Sequence, residues 1–585
     1  MNCCSENWAL RWCSGAAFLC VLSMCMVQSV QAQSTETPDA ASQRNRTKEE
    51  AIERERQQQA PRVDLQGPTA RPAAALTLPE ETPCFRIDQF VLEVPSQLPA
   101  TTRQLGASVL PGDRFHFAYD YLQQYRGSCI GRQSISLLLA QLTDLILSKG
   151  YTTTRLGIPE QDLSSGVLKL TLIPGVIHQL RYADPADKSH FNAFPSGAGE
   201  LFNLRDFEQG LEQMKRVTSQ DVDMQIVPAG LLGESDVVIT VKRSKPWKII
   251  ASLDDSGTKG TGKLQAGLTF GLDNLFNASD TLSFGTTNDG ERDGQLRGTS
   301  GYNASYSVPF GYWTAGVSAN DYLYHQQIAG ASQTFVSSGD SQNVDARLAY
   351  LFYRDQFQKY SVQFRTGKRW SHSYIDDTEV EVQYRNTSFA ELALIHKRYL
   401  GQSQLDVTAA YRWGVPWFGA QSDAANLSDT SPRLNYQLQT LDASLTTPFK
   451  LWETPLNYSV TLRAQNTNTP LYASEWISIG SRWTVRGFDG ENTLGAEKGF
   501  YLRNELGMPF WEGRHTVYIG LDYGKVYGPN VANLAGNELA GAVIGLRGSP
   551  LQNMYYDIFA GVPVSKPGGF RTVEPAAGFS LNYQI

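Results

Sequence analysis

Leu264-Gln-Ala-Gly-Leu-Thr-Phe-Gly-Leu272 alternates apolar residues with polar or small ones at every second position. The stretch from Leu456 to Gln465 repeats this alternation, with Leu, Tyr, Val, Leu and Ala on one face and Asn, Ser, Thr, Arg and Gln on the other. Because successive side chains of a strand point to opposite faces, each stretch predicts a strand with one apolar and one polar face. A strand of an outer-membrane barrel has this pattern, since it faces lipid outside and a polar lumen inside.

The same period of two continues from Trp247 to Ile585. The connections after even strands are short and those after odd strands are mostly longer, as in outer-membrane barrels. The pattern therefore predicts a 16-stranded antiparallel transmembrane β-barrel over residues 246–585. We expect its strands to start near residues 247, 262, 279, 298, 311, 341, 357, 380, 402, 434, 455, 498, 514, 538, 553 and 577.

The composition agrees with a barrel and argues against other classes. The 585 residues include 51 glycines and 11% aromatics, which suit many turned, aromatic-rich strands. A net charge of −7 argues against a nucleic-acid partner, because such proteins carry a basic face or stripe. The mean hydropathy of −0.32 is compatible with membrane insertion, since half of each barrel strand is polar.

Residues 1–32 have the features of a secretory signal peptide. The apolar part, Gly15–Val27, is too short to cross a bilayer of ~30 Å as a helix. The chain then reaches Val30-Gln31-Ala32, and we predict cleavage after Ala32. Five of the seven cysteines would leave with this segment.

Cys84 and Cys129 are the two cysteines that remain in the exported chain. Two cysteines in one predicted domain of an exported protein predict a disulfide. On the chain-entropy model this bond would stabilise the domain by roughly 3–4 kcal/mol. A zinc site would need more ligands than these two, and we predict no metal.

Residues 43–59 predict a helix that is polar on every side, with Glu50 and Arg54 paired at i,i+4. It is either a solvated spacer or a plug helix lodged in a polar channel. At 1.5 Å per residue its length is about 25 Å, close to the apolar height of an outer-membrane barrel. Residues 60–80 contain four prolines and predict an extended linker.

Residues 81–175 and 176–245 predict two small α/β domains of similar plan. The first has strands at Phe85–Leu92, Tyr151–Arg155 and Val167–Ile173 and a helix at Arg132–Lys149; the second has strands at Val176–Tyr182, Asp221–Val227 and Asp236–Lys242 and a helix at Leu204–Val217. Such small sheets leave an open edge, which can accept an extended partner strand. Phe207, Leu211 and Met214 are candidate substrate contacts on the second helix, or simply core.

The glycine-rich loop Arg482-Trp-Thr-Val-Arg-Gly-Phe-Asp-Gly490, hereafter the finger loop, presents Arg486 within Val485-Arg-Gly-Phe488. Its predicted socket lies on a strand whose one face carries Gly520, Asp522 and Gly524. Two glycines leave open space around the carboxylate, where a guanidinium can be held bidentately. We expect this pair inside the barrel, with Glu505 as a rival acceptor. The alternative is a surface turn and an unrelated aspartate.

This order of elements resembles the TpsB transporters of two-partner secretion, within the Omp85 superfamily. The resemblance rests on the Val485-Arg-Gly-Phe488 loop after strand eleven and the Gly520-x-Asp-x-Gly524 strand. Pro83-Cys84, Asn203-Leu-Arg-Asp206 and Leu253-Asp-Asp-Ser-Gly257 are similar to the haemolysin secretion/activation branch, which includes contact-dependent inhibition exporters. The resemblance implies two periplasmic POTRA-like domains and an N-terminal plug helix ahead of the barrel.

The resemblance also implies the function. The protein is expected to export one large β-helical exoprotein, such as a haemolysin, adhesin or contact-dependent toxin, unfolded through its lumen and without a nucleotide. Its other expected partners are outer-membrane lipid and the barrel-assembly machinery. A passive porin and a general barrel-assembly insertase are the rival functions.

No cofactor and no enzymatic activity are predicted. Gly257-Thr-Lys-Gly-Thr-Gly-Lys263 has the spacing of a phosphate-binding loop, but Leu264 replaces the hydroxyl that binds magnesium. The segment also joins two strands instead of opening a helix. The seven histidines are scattered, with no His-Glu-x-x-His motif.

Overall fold

The computed structural model of the chain describes residues 38–65, 77–291, 294, 297–329 and 333–585. The predicted signal peptide with its cleavage site at Ala32 lies outside the described residues, as do residues 66–76 of the predicted linker. The first described element is helix α1, Pro38–Gln58, which starts five residues earlier than predicted and ends one residue earlier.

The first α/β domain follows the linker. Its elements are β1 (Cys84–Arg86), β2 (Gln89–Glu93), α2 (Ala100–Leu105), α3 (His116–Gln123), β3 (Cys129–Gly131), α4 (Arg132–Ser148), β4 (Arg155–Gly157) and β5 (Val167–Ile173). β2 lies parallel to β5 and β4 antiparallel to it. β1 pairs with β3, and a disulfide between Cys84 and Cys129 joins these two strands across 45 positions of sequence.

The predicted strand Phe85–Leu92 is two strands in the structure. The chain changes partners after β1, because Ile87 bonds Ser128 while the amides of Asp88 and Gln89 bond Gly166. Helices α2 and α3 were not predicted, and of the predicted strand Tyr151–Arg155 only Arg155 is extended. The helix predicted at Arg132–Lys149 is present as α4, and its Leu138, Leu142 and Ile146 lie in the apolar core with α3 and the sheet.

The second α/β domain contains β6 (Val176–Tyr182), α5 (Leu204–Lys215), β7 (Gln220–Pro228) and β8 (Glu234–Arg243). Its sheet has the order β6-β8-β7, so β6 and β7 are the edge strands. Asn203 caps the start of α5, since its side chain accepts a hydrogen bond from the backbone N–H of Arg205. The helix packs its apolar face on the sheet.

The barrel occupies the rest of the chain and confirms the predicted fold class. Its sheet closes through antiparallel pairing of the last strand with the first, where Ser580 lies opposite Asp254 and Gln584 opposite Ile250. The strands are β9 (Trp247–Asp254), β10 (Gln265–Asp273), β11 (Thr281–Asp289), β12 (Arg297–Phe310), β13 (Trp313–Ala329), β14 (Thr334–Arg354), β15 (Gln358–Ile375), β16 (Thr378–Glu379), β17 (Arg385–Leu400), β18 (Ser403–Gly414), β19 (Gln437–Leu451), β20 (Thr454–Asn466), β21 (Ile477–Ile479), β22 (Leu494–Ala496), β23 (Lys498–Phe510), β24 (His515–Tyr527), β25 (Glu538–Gly548), β26 (Met554–Ser565) and β27 (Ala576–Gln584).

Sixteen of these strands form the wall. β16 is a two-residue extension beside β15, and β21 and β22 pair with each other inside a loop. Two predicted starts are several residues off. β14 begins at Thr334 because its polar outer end continues the ladder with β13, and β17 begins at Arg385 because β16 and a short 3₁₀ turn at Glu381–Gln383 precede it.

The outer surface of the wall is apolar. Large hydrophobic side chains that alternate along the strands are exposed there, among them Leu268, Phe270, Phe284, Val317, Ile519, Leu521 and Ile544. Such a band of exposed side chains matches a lipid-facing surface. Among the described residues, no helix is both long and apolar enough to cross a membrane.

Removal of the Cys84–Cys129 disulfide by the double substitution Cys84→Ser/Cys129→Ser should destabilise the first domain by about 4 kcal/mol, because the unfolded loop is then unconstrained. Hydrogen exchange of the amides in α4 and β5 measures this opening free energy. The amides of the second domain serve as the internal control. Equal protection in the variant and the native chain would contradict the expectation.

Candidate functional site

The finger loop folds back into the lumen and places Arg486 on the barrel wall. The Arg486 side chain donates from Nε to Asp522 Oδ2 over 2.7 Å and from Nη2 to Asp522 Oδ1 over 2.9 Å. The backbone N–H of Arg486 also donates to Asp522 Oδ2 over 3.0 Å. The Asp522 side chain is 0% exposed, so the predicted bidentate pair is buried and fully engaged.

Glu505 is a second acceptor of the same guanidinium and not a rival. Arg486 Nη1 lies 2.6 Å from Glu505 Oε2, while Nη2 also donates to the carbonyl of Asn504. Arg503, on the same strand as Glu505, donates to the carbonyl of Trp483. Arg547 of β25, two strands away from Glu505 in the wall, also pairs with Glu505. Sequence periodicity shows that these side chains face the lumen, but it cannot assign partners among them.

Glycines on three strands make room for the finger loop. A Cβ atom added at Gly520 would lie 2.5 Å from Arg486 Nη2, and one at Gly524 would lie 2.8 Å from a Val485 methyl. A Cβ at Gly541 of β25 would lie 1.9 Å from the carbonyl oxygen of Arg486. Sequence reasoning missed Gly541 and its neighbour Gly561 of β26, which approaches the Gly487 Cα in the same way. The sequence feature that could have identified them is a small residue at a lumen-facing position in each of two successive strands.

The backbone of the finger loop is also specified. Gly487 has φ of +100°, which side-chain-bearing residues rarely adopt. On either side of Arg486 and Gly487, Val485 and Phe488 insert into a small apolar cluster with Ile479, Leu494 and Phe570. Hydrophobic packing therefore holds Val485 and Phe488 in place, and the ion pair holds Arg486 between them.

Arg482 connects the finger loop to the seam of the barrel, defined here as the β27–β9 pairing. Its Nη2 donates to Asp255 Oδ1 over 2.6 Å, and the guanidinium lies 4.9 Å from the ring centroid of Phe559. The same Asp255 oxygen accepts the backbone N–H of Phe579 in β27. One carboxylate thus bridges the first strand, the last strand and the finger loop.

Helix α1 lies within the barrel lumen, where hydrogen bonds join it to strands all around the wall. Arg46 donates to Glu475 and to the Trp476 carbonyl, each over 2.6 Å. Arg54 bonds Asp442 of β19 and Tyr501 of β23 over 3.1 and 2.9 Å. Further bonds join the helix to other strands: Asn320 of β13 to Glu49, Arg347 of β14 to Glu53, Lys397 of β17 to the Gln57 carbonyl and Arg463 of β20 to Glu50.

This helix is held by charge and not by an apolar face. It carries five basic and five acidic side chains, and the lumen supplies complementary partners for both signs. Its 21 residues give a length of about 31 Å, enough to run through the barrel wall's height. The described geometry therefore agrees with a helix in a channel and not with a solvated spacer.

The predicted substrate contacts in the second domain are corrected by the structure. Phe207 and Leu211 are each 1% exposed and Met214 is 0% exposed, all within the core between α5 and its sheet. They pack the helix on the sheet and cannot line an open groove. The polar face of α5 is the one that meets the barrel, through Gln213 with Thr314 and Arg216 with Ser307.

Within the part of the chain that the structure describes, no group of three or more His, Cys, Asp or Glu side chains is arranged to hold a metal ion. The polar contacts inside the barrel include ion pairs and hydrogen bonds to backbone groups. The arrangement can hold a helix, a loop or an extended chain by polar contacts.

Comparison with known families gives three matches along the chain. A model described as haemolysin secretion/activation protein ShlB/FhaC/HecB matches residues 233–548, which is more than half of the chain. A POTRA domain model of the ShlB type matches residues 109–175, and a second POTRA domain model matches residues 176–228. The two domain matches meet at the boundary between the two α/β domains.

Individual relatives extend the similarity over almost the full length. The outer membrane transporter CdiB-2 of Burkholderia pseudomallei (strain 1026b) is 44% identical over 569 residues, covering 95% of this chain and 97% of the relative. The solved structure of CdiB from Acinetobacter baumannii is 27% identical with a TM-score of 0.79 and covers 94% of this chain and all of its own. CdiB from Escherichia coli, at 23% identity, has the same fold with a TM-score of 0.81 over 95% of this chain and all of its own.

Gly541→Ala should detach the finger loop from the wall, because the new Cβ would collide with a backbone carbonyl that cannot rotate away. Hydrogen exchange of the amides of residues 485–489 should become at least ten-fold faster. Gly301→Ala in β12 is the matched control, since its Cβ would meet nothing closer than 3.1 Å. Unchanged exchange in Gly541→Ala would show that the loop does not depend on this contact.

Proposed function

The chain belongs to the haemolysin secretion/activation family ShlB/FhaC/HecB, and we propose that it exports one large β-helical exoprotein across the outer membrane by two-partner secretion. The observation that carries this proposal is a polar helix held by reversible ion pairs in the lumen of a barrel that continues from two POTRA domains. A haemolysin, an adhesin and a contact-dependent toxin are all exoproteins of the expected class. The protein lies in the outer membrane with its POTRA domains in the periplasm.

The lumen suits passage of an unfolded polypeptide. An extended chain offers unpaired backbone N–H and C=O groups, and a polar lined pore can hydrogen-bond them while the wall keeps lipid away. Once α1 leaves, the carboxylates and guanidiniums that held it are available to the moving chain. The proposed transport uses no nucleotide, because the polar contacts of α1 are replaced by contacts with the substrate and no covalent bond is made or broken.

The finger loop lines one side of the lumen through which the exoprotein passes. Its pairing with Asp522 keeps the loop against β24, β25 and β26, so the loop covers this part of the lumen wall. A buried guanidinium that lost both carboxylates would be strongly unfavourable, so the loop has one preferred seat. We expect this seat to matter for transport more than for folding of the wall, whose ladder is complete without it.

Capture of the exoprotein in the periplasm is assigned to the edge of the second domain. β7 is an edge strand, and main-chain pairing along an edge accepts an unfolded partner whatever its side chains. Outer-membrane lipid surrounds the exposed apolar band. The terminal strand β27, which alternates up to Tyr583, is the segment offered to the barrel-assembly machinery during biogenesis.

The partner can be identified by comparing the culture medium of cells with and without this gene. One large secreted protein should disappear on deletion and return on complementation. A passive porin predicts no specific loss from the medium. A general insertase predicts instead that many barrels are lost from the outer membrane.

Arg46→Ala should raise the frequency of large channel openings by about ten-fold or more, because it removes two charge-assisted hydrogen bonds that hold α1 in the lumen. Single-channel recording in planar bilayers measures this frequency. Arg56→Ala on the same helix is the control, since its side chain is 69% exposed. Equal opening frequencies in the two variants would mean that α1 does not plug the channel.

Arg486→Ala and Asp522→Ala should each reduce secretion strongly while the heat-resistant mobility of the folded barrel survives. Because both residues serve one pair, the double variant should secrete little less than either single variant. Secreted protein in the medium is quantified against transporter in the membrane. Fully additive losses, or normal secretion by Arg486→Ala, would remove the pair from the transport mechanism.

A further inference from the structure

The segment that follows α1 is bound at the junction of the second domain and the barrel. We call residues 59–65 the tether. The backbone N–H of Val63 donates to Glu212 Oε1 over 2.8 Å, and that of Leu65 donates to Glu208 Oε1 over 3.0 Å. The carbonyl of Val63 accepts from Arg354 Nη2 over 3.2 Å. Charged side chains therefore make these main-chain bonds of Val63 and Leu65, whereas the amides of Gln59 and Ala60 still bond carbonyls of α1.

The spacing of these bonds is that of an extended peptide lying on a helix. Alternate N–H groups of an extended chain point the same way and recur about every 6.6 Å. Glu208 and Glu212 are one helical turn apart on α5, a rise of about 6 Å. Because Val63 meets the later glutamate and Leu65 the earlier one, the tether runs antiparallel to α5. Recognition of this kind reads the backbone and is tolerant of sequence.

Two side-chain contacts add selectivity. Val63 is 9% exposed and packs into the apolar core of the second domain, beside the α5 helix. The guanidinium of Arg62 lies 4.0 Å from the ring centroid of Tyr399, which belongs to β17. We call Glu208, Glu212, Arg354 and Tyr399 the tether groove, since together they contact the peptide from both the domain and the barrel.

The groove is built from buried charges. Glu208 and Arg354 side chains are 1% and 3% exposed, and Arg354 bonds both Glu212 oxygens. Burial opposes ionisation of Glu212, but the charges of Arg354 and Lys359 outweigh it and lower the pKa of this carboxyl below its ordinary value. The carboxylate is thus a charged acceptor held by Arg354 and Lys359 as well as by the tether.

We propose that the tether groove is a binding site for an extended polypeptide, that the tether is its resting ligand, and that the unfolded exported chain takes the same site and frees the tether. The last step rests on the proposed transport function. The groove lies along the side of α5 that carries Glu208 and Glu212, next to the core residues Phe207 and Leu211, so that Val63 reaches the same apolar core. It is a different site from the sheet edge formed by β7.

Occupancy of the groove restrains α1. Three residues separate Gln58 at the end of α1 from Arg62, so the helix end can lie at most about 14 Å from the groove while the tether is bound. Complete exit of α1 along its axis requires about 31 Å. The helix can therefore leave the lumen only after the tether leaves the groove, which couples arrival of a competing chain to opening of the channel.

The test uses the full-length protein and a fluorescein-labelled synthetic peptide of residues 59–65. Replacement of residues 62–65 by Gly-Ser-Gly-Ser removes the Arg62 and Val63 side-chain contacts at constant chain length, and Val63→Asn weakens the apolar contact alone. Both variants should bind the peptide at least about ten-fold more tightly than the native protein, whose groove is filled. Leu65→Asn is the matched control, because Leu65 is 40% exposed and only its backbone is bound.

Two further measurements decide the assignment. Glu212→Gln in the Gly-Ser-Gly-Ser background should abolish peptide binding, with barrel mobility on gels and exchange of α5 amides reporting that the protein is folded. Excess peptide on the POTRA side of a planar bilayer should raise the opening frequency of the native channel, whereas a scrambled peptide should not. Binding that is equal in all variants, or that survives Glu212→Gln, would overturn the proposal. Failure of the transport function would be seen separately, in the culture medium.

Discussion

Closure of the sheet by β27 and β9 is the constraint on which the rest of the molecule depends. In lipid every backbone N–H and C=O must find a partner within the protein, and an open sheet leaves two edges without one. Closure satisfies the edges and also divides each strand into a lipid face and a lumen face. The polar lumen is thus a consequence of the closed wall, and everything that acts in transport is placed inside it or at its mouth.

A polar lumen explains why the contents of the barrel are held by charges. Helix α1 has no apolar stripe, and its arginines and glutamates meet opposite charges on strands around the wall. Because water and mobile charges can replace such pairs, their net contribution is far smaller than their number suggests. Departure of a helix held in this way would expose no apolar surface, whereas departure of a helix packed by hydrophobic contacts would.

The sequence predicted the fold well because each strand of a barrel wall can be recognised from its own residues. Alternation every second residue marks a strand and its lipid face without reference to any other strand, and short turns set the pairing order. The finger loop and Asp522 were found for the same reason, since glycine spacing and face alternation are local. The pairing of Arg547 with Glu505 and the bond from Arg503 to the Trp483 carbonyl were not found, because strand alternation places these side chains in one lumen but does not say which of them meet.

The tether groove could not have been found from local patterns at all. Val63 and Glu212 are 149 positions apart, and Val63 and Arg354 are 291 apart. In the sequence Glu208 and Glu212 resemble the solvated face of an amphipathic helix, and Phe207, Leu211 and Met214 resemble an apolar contact surface. In the structure the apolar residues form the core, because this face of α5 packs on its own sheet. The glutamates make the contacts with the barrel and the tether.

The seam and the finger loop are joined by one carboxylate. Asp255 accepts the backbone N–H of Phe579 across the seam and the guanidinium of Arg482 from the loop. Four residues further along that loop, Arg486 is fixed on β24. Displacement of the loop tip would therefore strain a contact that closes the barrel, while the ladder itself resists opening. The finger loop is thus anchored both at the wall, through Arg486, and at the seam, through Arg482.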